Sequence, residues 1–139
     1  MGREGLVVDA SVAIKWLVDE AGSDAAASLK GADLAAPALI RIEVANVLRT
    51  LSARKSIAAG VAIDLFALFQ TAPVVVVEHD DALERRALEL AIALGHPVYD
   101  CLYLALAERM GVRMVSSDVK FVSTVAGTRF GPLVRALVP

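Results

Sequence analysis

Leu6-Val7-Val8-Asp9-Ala10-Ser11 is the stretch of sequence that decides the fold. It is a short apolar run that stops on a carboxylate, and a helical pattern follows it over residues 12–18. A continuous apolar run without polar alternation is typical of a strand buried in a parallel sheet. Asp9 is therefore predicted at the carboxyl end of this strand, which is the edge of an open α/β sheet where ligands bind.

The composition indicates one compact domain over residues 1–139, long enough to bury a core without disulfides. Apolar residues make up 57% of the chain, so its helices are covered on more than one side or meet a partner chain. The only cysteine, Cys101, excludes an internal disulfide and a thiolate zinc cluster, which fits a reducing compartment. The amino terminus carries no recognisable secretion signal, and we expect a cytoplasmic protein.

The apolar runs do not indicate insertion into a membrane, and the net charge does not indicate general attraction to nucleic acid. The most apolar run, residues 57–77, is interrupted by glycine, proline and polar residues, so no membrane span is predicted. The net charge is -2, whereas nucleic-acid-binding domains are commonly basic. Any activity on nucleic acid must therefore depend on a local site. The arginines and lysines either rim such a site or are scattered surface charge.

Strands and helices are predicted to alternate along the chain. After the first helix, further helices are expected at residues 23–30, 39–54, 58–70, 81–94, 97–110 and 119–125, and strands at residues 34–37, 74–77, 113–116 and 133–138. Ser23 or Asp24 is expected to cap the second helix, and Asp80 the fifth. The four valines at 74–77 indicate a buried strand, and the terminal proline places the last strand at the sheet edge. This order predicts an α/β fold in which helices cover both faces of a mostly parallel sheet of four to five strands.

Four carboxylates stand out in this order of elements: Asp9, Glu43, Asp100 and Asp118. Asp9 and Asp118 each follow a strand, so both are expected at the same edge of the sheet. Asp100 lies in the first turn of a predicted helix, and only the packing of that helix could bring it to the edge. Glu43 lies at the margin of the buried face of its helix, where a carboxylate needs a partner.

Each of these acids also has a purely structural alternative. Asp9 could cap the first helix in competition with Ser11, and Asp118 could cap the helix that follows it. Glu43 could pair with an arginine such as Arg41 or Arg85. Asp100 could simply be an acid favoured in the first turn of a helix.

Convergence of the four acids would have a decisive electrostatic consequence. Two carboxylates about 4 Å apart repel by about 4 kcal/mol at an effective dielectric constant of about 20. Several such pairs would cancel a typical domain stability of about 5–15 kcal/mol, so the cluster must bind cations or take up protons. Ligation by oxygen alone favours Mg²⁺ or Mn²⁺. Such an ion suits phosphodiester hydrolysis because it activates a bound water and stabilises charge on the phosphate.

Four segments of the chain resemble, in order, the motifs of the PIN-domain ribonucleases. They are Val7-Val8-Asp9-Ala10-Ser11-Val12-Ala13, Glu43 with Asn46, Tyr99-Asp100-Cys101-Leu102-Tyr103-Leu104-Ala105-Leu106-Ala107, and Val115-Ser116-Ser117-Asp118-Val119-Lys120-Phe121. Within this family the chain is most similar to the VapC toxins of bacterial toxin–antitoxin pairs. The likeness covers nearly the whole chain and implies a PIN-like three-layer α/β/α fold.

The resemblance implies a Mg²⁺-dependent endoribonuclease, with Mn²⁺ able to substitute. Asp9, Glu43, Asp100 and Asp118 would be its catalytic acids, and Asp9, Asp100 and Asp118 its metal ligands. RNA would be the substrate, a cognate VapB-like antitoxin would cover the site, and the chain would form a homodimer through its helices. By position, Ser11 and Ser116 match the small hydroxyl residues that accompany the acids, although threonine is more usual at the second position. Asn46 would be a supporting residue.

Other functions fit these residues less well. A thiol nucleophile at Cys101 with His79 or His96 as base has no supporting spacing, and both histidines are expected in loops. A phospho-acceptor module similar to response-regulator receivers would need an acidic pair after the first strand, where Asp9 stands alone, and an aspartate where the chain has Glu78. A PIN-like interaction module without catalysis stays open, although all four acids are present.

Overall fold

The central sheet of the computed structural model, which describes residues 2–138, has five strands. They are β1 (Gly5–Val8), β2 (Asp33–Pro37), β3 (Val74–Val77), β4 (Arg113–Ser116) and β5 (Val134–Ala136). The strand order is β3-β2-β1-β4-β5, and every neighbouring pair is parallel. The predicted parallel α/β sheet is therefore confirmed, with β1 at its centre.

In the described part of the chain, seven α-helices connect and cover these strands. They are α1 (Ala10–Ala13), α2 (Ser23–Ser28), α3 (Leu39–Ala53), α4 (Ala59–Phe69), α5 (Asp81–Leu94), α6 (Val98–Met110) and α7 (Val119–Ala126). Alternate residues of β1 enter two different cores, since successive side chains of a strand point to opposite faces. Val7 packs into the larger core with α3 to α6, and Leu6 and Val8 pack into a smaller one with residues of α1 and α2. Helices on both faces confirm the three-layer arrangement.

The first helix begins earlier than predicted because Asp9, and not Ser11, is its N-cap. The Asp9 carboxylate accepts the backbone N–H of Val12, which satisfies one of the free donors at the helix start. α1 lasts for one turn and continues as a 3₁₀ turn at Ile14–Trp16. The helical pattern predicted over residues 12–18 is therefore two short helical pieces that start directly after β1.

The cap predicted for the second helix was wrong. Gly22 occupies the N-cap position of α2, with a φ of 90° that favours glycine, and no side chain caps this helix end. The Ser23 hydroxyl instead accepts the backbone N–H of Glu20. Asp80, by contrast, caps α5 as predicted, since its Oδ1 accepts the N–H of Leu83 at 2.7 Å.

Strand β3 was predicted to be buried, but it lies at one edge of the sheet. Its only neighbour among the described strands is β2, and the side chain of Val75 is 68% exposed. Four β-branched residues favour a strand, but they do not tell how many neighbours that strand has. The last strand lies at the opposite edge as predicted, although it is shorter, Val134–Ala136; the terminal Pro139 lies outside the described residues.

Helix α6 is the core helix of the molecule, and it determines where Asp100 lies. Seven consecutive residues, from Cys101 to Ala107, are buried, because α6 contacts α5 and the central strands β1, β2 and β4. A helix that is apolar all round must be covered on all sides. This packing holds the first turn of α6, with Asp100, at the carboxyl end of the sheet.

Within residues 2–138, no single helix is both long and apolar enough to cross a membrane. Helices α5 and α6 reach that length and hydropathy only as a pair, and the chain bends by 116° between them.

Candidate active site

Asp9 is a buried carboxylate at the end of the central strand, with only 4% of its surface exposed. Its Oδ1 accepts hydrogen bonds from the Ser11 hydroxyl at 2.5 Å and from the backbone N–H of Val12 at 3.2 Å. Its Oδ2 accepts one from the hydroxyl of Ser116, which ends the neighbouring strand β4. Asp9 thus does cap α1, but two hydroxyl groups from separate elements also fix both of its oxygens.

Burial raises the pKa of Asp9 to about 6, although hydrogen bonds from Ser11, Ser116 and Val12 oppose the shift. The negative charge of Asp100 adds to the increase. Transfer of a carboxylate from water into a protein interior disfavours its ionised form. The ionised site is therefore held at a cost in folding free energy that a bound cation would relieve.

This shift predicts that metal-free protein loses stability as the pH rises from about 4 to about 6. The folded state holds the proton of Asp9 more tightly than the unfolded chain, because its pKa rises from 3.8 to about 6. The difference corresponds to about 3 kcal/mol of unfolding free energy, present below pH 4 and lost above pH 6. Urea unfolding with EDTA, compared between wild type and Asp9→Asn across this range, isolates the effect. Parallel pH profiles for the two proteins would contradict it.

The end of β4 brings Asp118 to the same edge as Asp9. The Ser116 hydroxyl that donates to Asp9 accepts the backbone N–H of Asp118 at 3.0 Å, and the Ser11 hydroxyl accepts the N–H of Ser117 at 2.9 Å. Oδ1 of Asp118 caps α7 by accepting two backbone N–H groups, those of Lys120 and Phe121. Asp118 thus does cap the helix that follows it, as the structural alternative predicted. This cap uses only Oδ1 and leaves Oδ2 without a hydrogen bond among the described residues.

Glu43 reaches the site from α3, and its partner is a tyrosine rather than the arginine considered from the sequence. The Tyr103 hydroxyl of α6 donates to Oε1 of Glu43 at 2.5 Å, whereas Arg41 pairs with Glu78 on the surface. Burial raises the pKa of Glu43, the bond from Tyr103 lowers it, and the charge of Asp100 raises it further. Burial and the charge of Glu43 also raise the pKa of Tyr103, so its hydroxyl keeps its proton.

Asp100 contacts a histidine that lies just before its helix. Nε2 of His96 and Oδ2 of Asp100 are 2.6 Å apart, and the His96 side chain is 8% exposed against 26% for Asp100. His96 was expected to be a loop residue, because Pro97 follows it. Its position is indeed between helices, but its ring points at an acid of the candidate site.

The structure brings Asp100 within electrostatic reach of two other acids, Asp9 and Glu43. Besides burial, the charge of Asp100 raises the pKa of both Asp9 and Glu43. Among residues 2–138, no lysine or arginine forms an ion pair with any of the four acids. Asn46, in contrast, is exposed on α3 and forms no side-chain hydrogen bond with another described residue.

The donor set fits a hard divalent cation in an open site. The carboxylates offer oxygen ligands, and no described lysine or arginine neutralises them. Among residues 2–138, however, no three acidic, histidine or cysteine side chains are close enough together to enclose an ion. Mg²⁺ commonly keeps several waters and takes only one or two carboxylates beside a substrate phosphate. An incomplete cage is therefore compatible with Mg²⁺, and the ligand set of Asp9, Asp100 and Asp118 stays a prediction.

Two residues at the site were missed from the sequence, His96 and Tyr103. Tyr103 is an aromatic residue that core packing alone would explain, and it is fully buried, but its hydroxyl donates to a carboxylate sixty positions earlier in the chain. The available signal was its spacing, since Tyr103 follows Asp100 by three positions and so shares one helix face. Cys101 is buried as expected, and burial raises the pKa of its thiol to about 11, which makes it a poor nucleophile.

Comparison with known proteins identifies relatives of this fold. The PIN-domain family model matches residues 6–126. Among solved structures, PAE2754 from Pyrobaculum aerophilum is 22% identical, with a TM-score of 0.71 over 96% of this chain and 84% of that one. VapC20 from Mycobacterium tuberculosis, a toxin that cleaves the sarcin–ricin loop, is 17% identical, with a TM-score of 0.66 over 85% of this chain and 93% of that one. No curated protein is significantly similar in sequence. At these identities the structural likeness shows the fold alone.

Proposed function

We propose that this chain, which belongs to the PIN-domain family, is a metal-dependent endoribonuclease of the VapC toxin type. The observation that carries the proposal is a buried carboxylate, Asp9, near Asp100, whose charge also acts on Glu43, without a described lysine or arginine partner on any of the three. Such an arrangement is unfavourable for an empty site, and it suits chemistry that needs a cation and an anionic substrate. VapC20, which shares the fold, is described as cleaving the sarcin–ricin loop, an RNA target.

Asp9, Asp100 and Asp118 would hold Mg²⁺, with Mn²⁺ able to replace it. When bound, the ion would activate a water and stabilise negative charge on the scissile phosphate. The Ser11 and Ser116 hydroxyls keep the Asp9 oxygens in place for this purpose, because each donates to a different oxygen of the carboxylate. The ligand geometry is thus organised by neutral donors, which leave the negative charge of the site intact.

Glu43 is proposed to accept the proton of the attacking water. Its raised pKa makes it a better proton acceptor than an exposed glutamate, and a base works best when its pKa approaches the working pH. The Tyr103 hydroxyl holds Oε1, so that Oε2 is the oxygen left to take the proton. Tyr103 itself does not titrate in this range, and it acts as an orienting donor.

The VapB-like antitoxin proposed to cover the acidic site is also proposed to contact the apolar groove between α3 and α4. This groove has a volume of about 420 Å³ and is lined mainly by small and apolar side chains, among them Leu48, Ala62 and Phe66. α4 also exposes apolar side chains on the side opposite this groove, with Val61 45% and Leu68 55% exposed. Exposed apolar helices also favour homodimerisation, and an RNA substrate with a VapB-like antitoxin implies action in the cytoplasm.

The receiver-like alternative disagrees with the topology. Receivers have the strand order 2-1-3-4-5, whereas this sheet has the order β3-β2-β1-β4-β5. Glu78, at the position where a receiver carries its acceptor, pairs with Arg41 on the surface and lies outside the acidic site.

The proposal predicts that the purified chain, freed of any antitoxin, cleaves single-stranded RNA with Mg²⁺ or Mn²⁺ and does not cleave it with EDTA. Because the acids repel each other and the phosphate without an ion, metal removal is expected to slow cleavage by at least about 10³-fold. Gel analysis of a labelled RNA measures both rates. Equal rates with Mg²⁺ and with EDTA would refute metal dependence, and no cleavage of any RNA by metal-loaded protein would favour the interaction-module alternative.

A further inference from the structure

The imidazole of His96 is fixed against one oxygen of Asp100. A carboxylate can only accept, so at 2.6 Å the Nε2 atom of His96 must carry the hydrogen and donate it to Oδ2. Oδ1 of Asp100 accepts no side-chain hydrogen bond from the described residues. One oxygen is therefore held by the protein, and the other remains available to a ligand.

The backbone of His96 is fixed by the end of α5. Gly95 adopts a φ of 62° after the last turn, and the N–H of His96 donates to the carbonyl of Ala91 at 3.1 Å. This is the hydrogen-bond pattern of a Schellman motif, which ends a helix with a defined exit direction. Pro97 follows and forms the N-cap position of α6. His96 therefore lies in a three-residue connection, Gly95-His96-Pro97, with little conformational freedom.

The ring of His96 is also fixed by a contact with Phe121. The two ring centroids are 4.9 Å apart with the planes tilted by 57°, a favourable geometry for two rings. Phe121 is fully buried, and its backbone N–H donates to Oδ1 of Asp118. The connection Asp100–His96–Phe121–Asp118 thus joins two of the acids that the proposed metal site requires.

We propose that His96 is a positioning residue that holds the Asp100 carboxylate in the orientation needed to bind the divalent cation. The inference rests on the proposed function only in that Asp100 must ligate an ion. Hydrogen bonds to metal-binding carboxylates orient them, and their loss typically costs about 10–100-fold in metal affinity. Nε2 of His96 is not available to the ion itself, because it donates to Asp100.

Two substitutions separate the hydrogen bond from the packing of the ring. His96→Phe keeps an aromatic ring against Phe121 but has no donor, whereas His96→Gln keeps a donor near the position of Nε2. We expect His96→Phe to bind Mn²⁺ about 10–100-fold more weakly than wild type, and His96→Gln to remain within about threefold of it. Titration of Mn²⁺ followed by electron paramagnetic resonance, without RNA, measures both affinities.

RNA cleavage supplies a second measurement. His96→Phe should raise the Mg²⁺ concentration for half-maximal cleavage by about the same 10–100-fold, while the rate at saturating Mg²⁺ stays within about threefold of wild type. A purely structural role would lower the melting temperature and leave the Mn²⁺ affinity of the folded protein unchanged. Wild-type Mn²⁺ affinity in His96→Phe would overturn this inference alone, whereas absence of Mn²⁺ binding by the wild type would overturn it together with the proposed function.

Discussion

Asp9→Asn is expected to abolish RNA cleavage, with a loss of at least about 10³-fold, or about 4 kcal/mol of transition-state stabilisation. The asparagine is nearly isosteric, but its amide lacks the charge that attracts the cation. Its NH₂ group also takes the place of one carboxylate oxygen, and the Ser11 and Ser116 hydroxyls each donate to a different oxygen in the wild type. One change therefore removes the charge of a metal ligand and disrupts one of these two hydrogen bonds.

Asp100→Asn should cause a loss of similar size for a simpler reason. Its carbonyl oxygen can still accept the hydrogen bond of His96, so the local structure is kept while one ligand charge disappears. Asp64→Asn is the matched control, because Asp64 is exposed on α4, away from the sheet edge. It should cleave RNA at the wild-type rate in the same gel assay, and all three variants should keep the wild-type circular dichroism spectrum. Cleavage that survives both Asp9→Asn and Asp100→Asn would exclude this mechanism.

The position of Asp9 and Asp118 at one edge of the sheet was predictable, because it depends only on the hydrophobic pattern of two strands and on their parallel direction. Apolar runs before Asp9 and Asp118 marked two parallel strands, and the carboxyl ends of parallel strands lie at one edge. The pairing of Val8 with Val115 then puts the two acids on adjacent strand ends. Hydrophobic patterning thus carried the information needed for this half of the site.

The other half of the site depends on packing that no local pattern contains. Asp100 reaches the edge because α6 is buried on all sides, which is decided by helices and strands distant in sequence. The bond from Tyr103 to Glu43 likewise joins α6 to α3 across the core. His96 was not recognised because Pro97 follows it. A histidine before proline indicates a loop, and the sequence does not tell what its ring contacts. Whether a strand such as β3 lies in the middle or at the edge of the sheet is likewise decided only when the sheet assembles.

Divalent cations are expected to raise the melting temperature of this protein substantially. A ligand that binds only the folded state stabilises it by about 2.7 kcal/mol at a hundredfold excess over its dissociation constant. For a domain of this size that amounts to an increase of about 10 °C. The physical source is the repulsion described for the site, in which burial and the charge of Asp100 raise the pKa of Asp9. Differential scanning calorimetry with Mn²⁺ and with EDTA measures the shift.

Asp100→Asn should change the order of the melting temperatures with and without metal. It is therefore the stricter test of whether these acids repel one another and bind the same ion. Without metal it is expected to melt above wild type by about 4 °C, because removing one negative charge relieves about 1 kcal/mol of repulsion on Asp9 and Glu43. With Mn²⁺ the order should invert, since the variant has lost a ligand. Asp64→Asn should follow the wild type in both conditions because no site carboxylate is altered. Identical melting curves for wild type and Asp100→Asn in both conditions would mean that these acids neither repel one another nor share an ion.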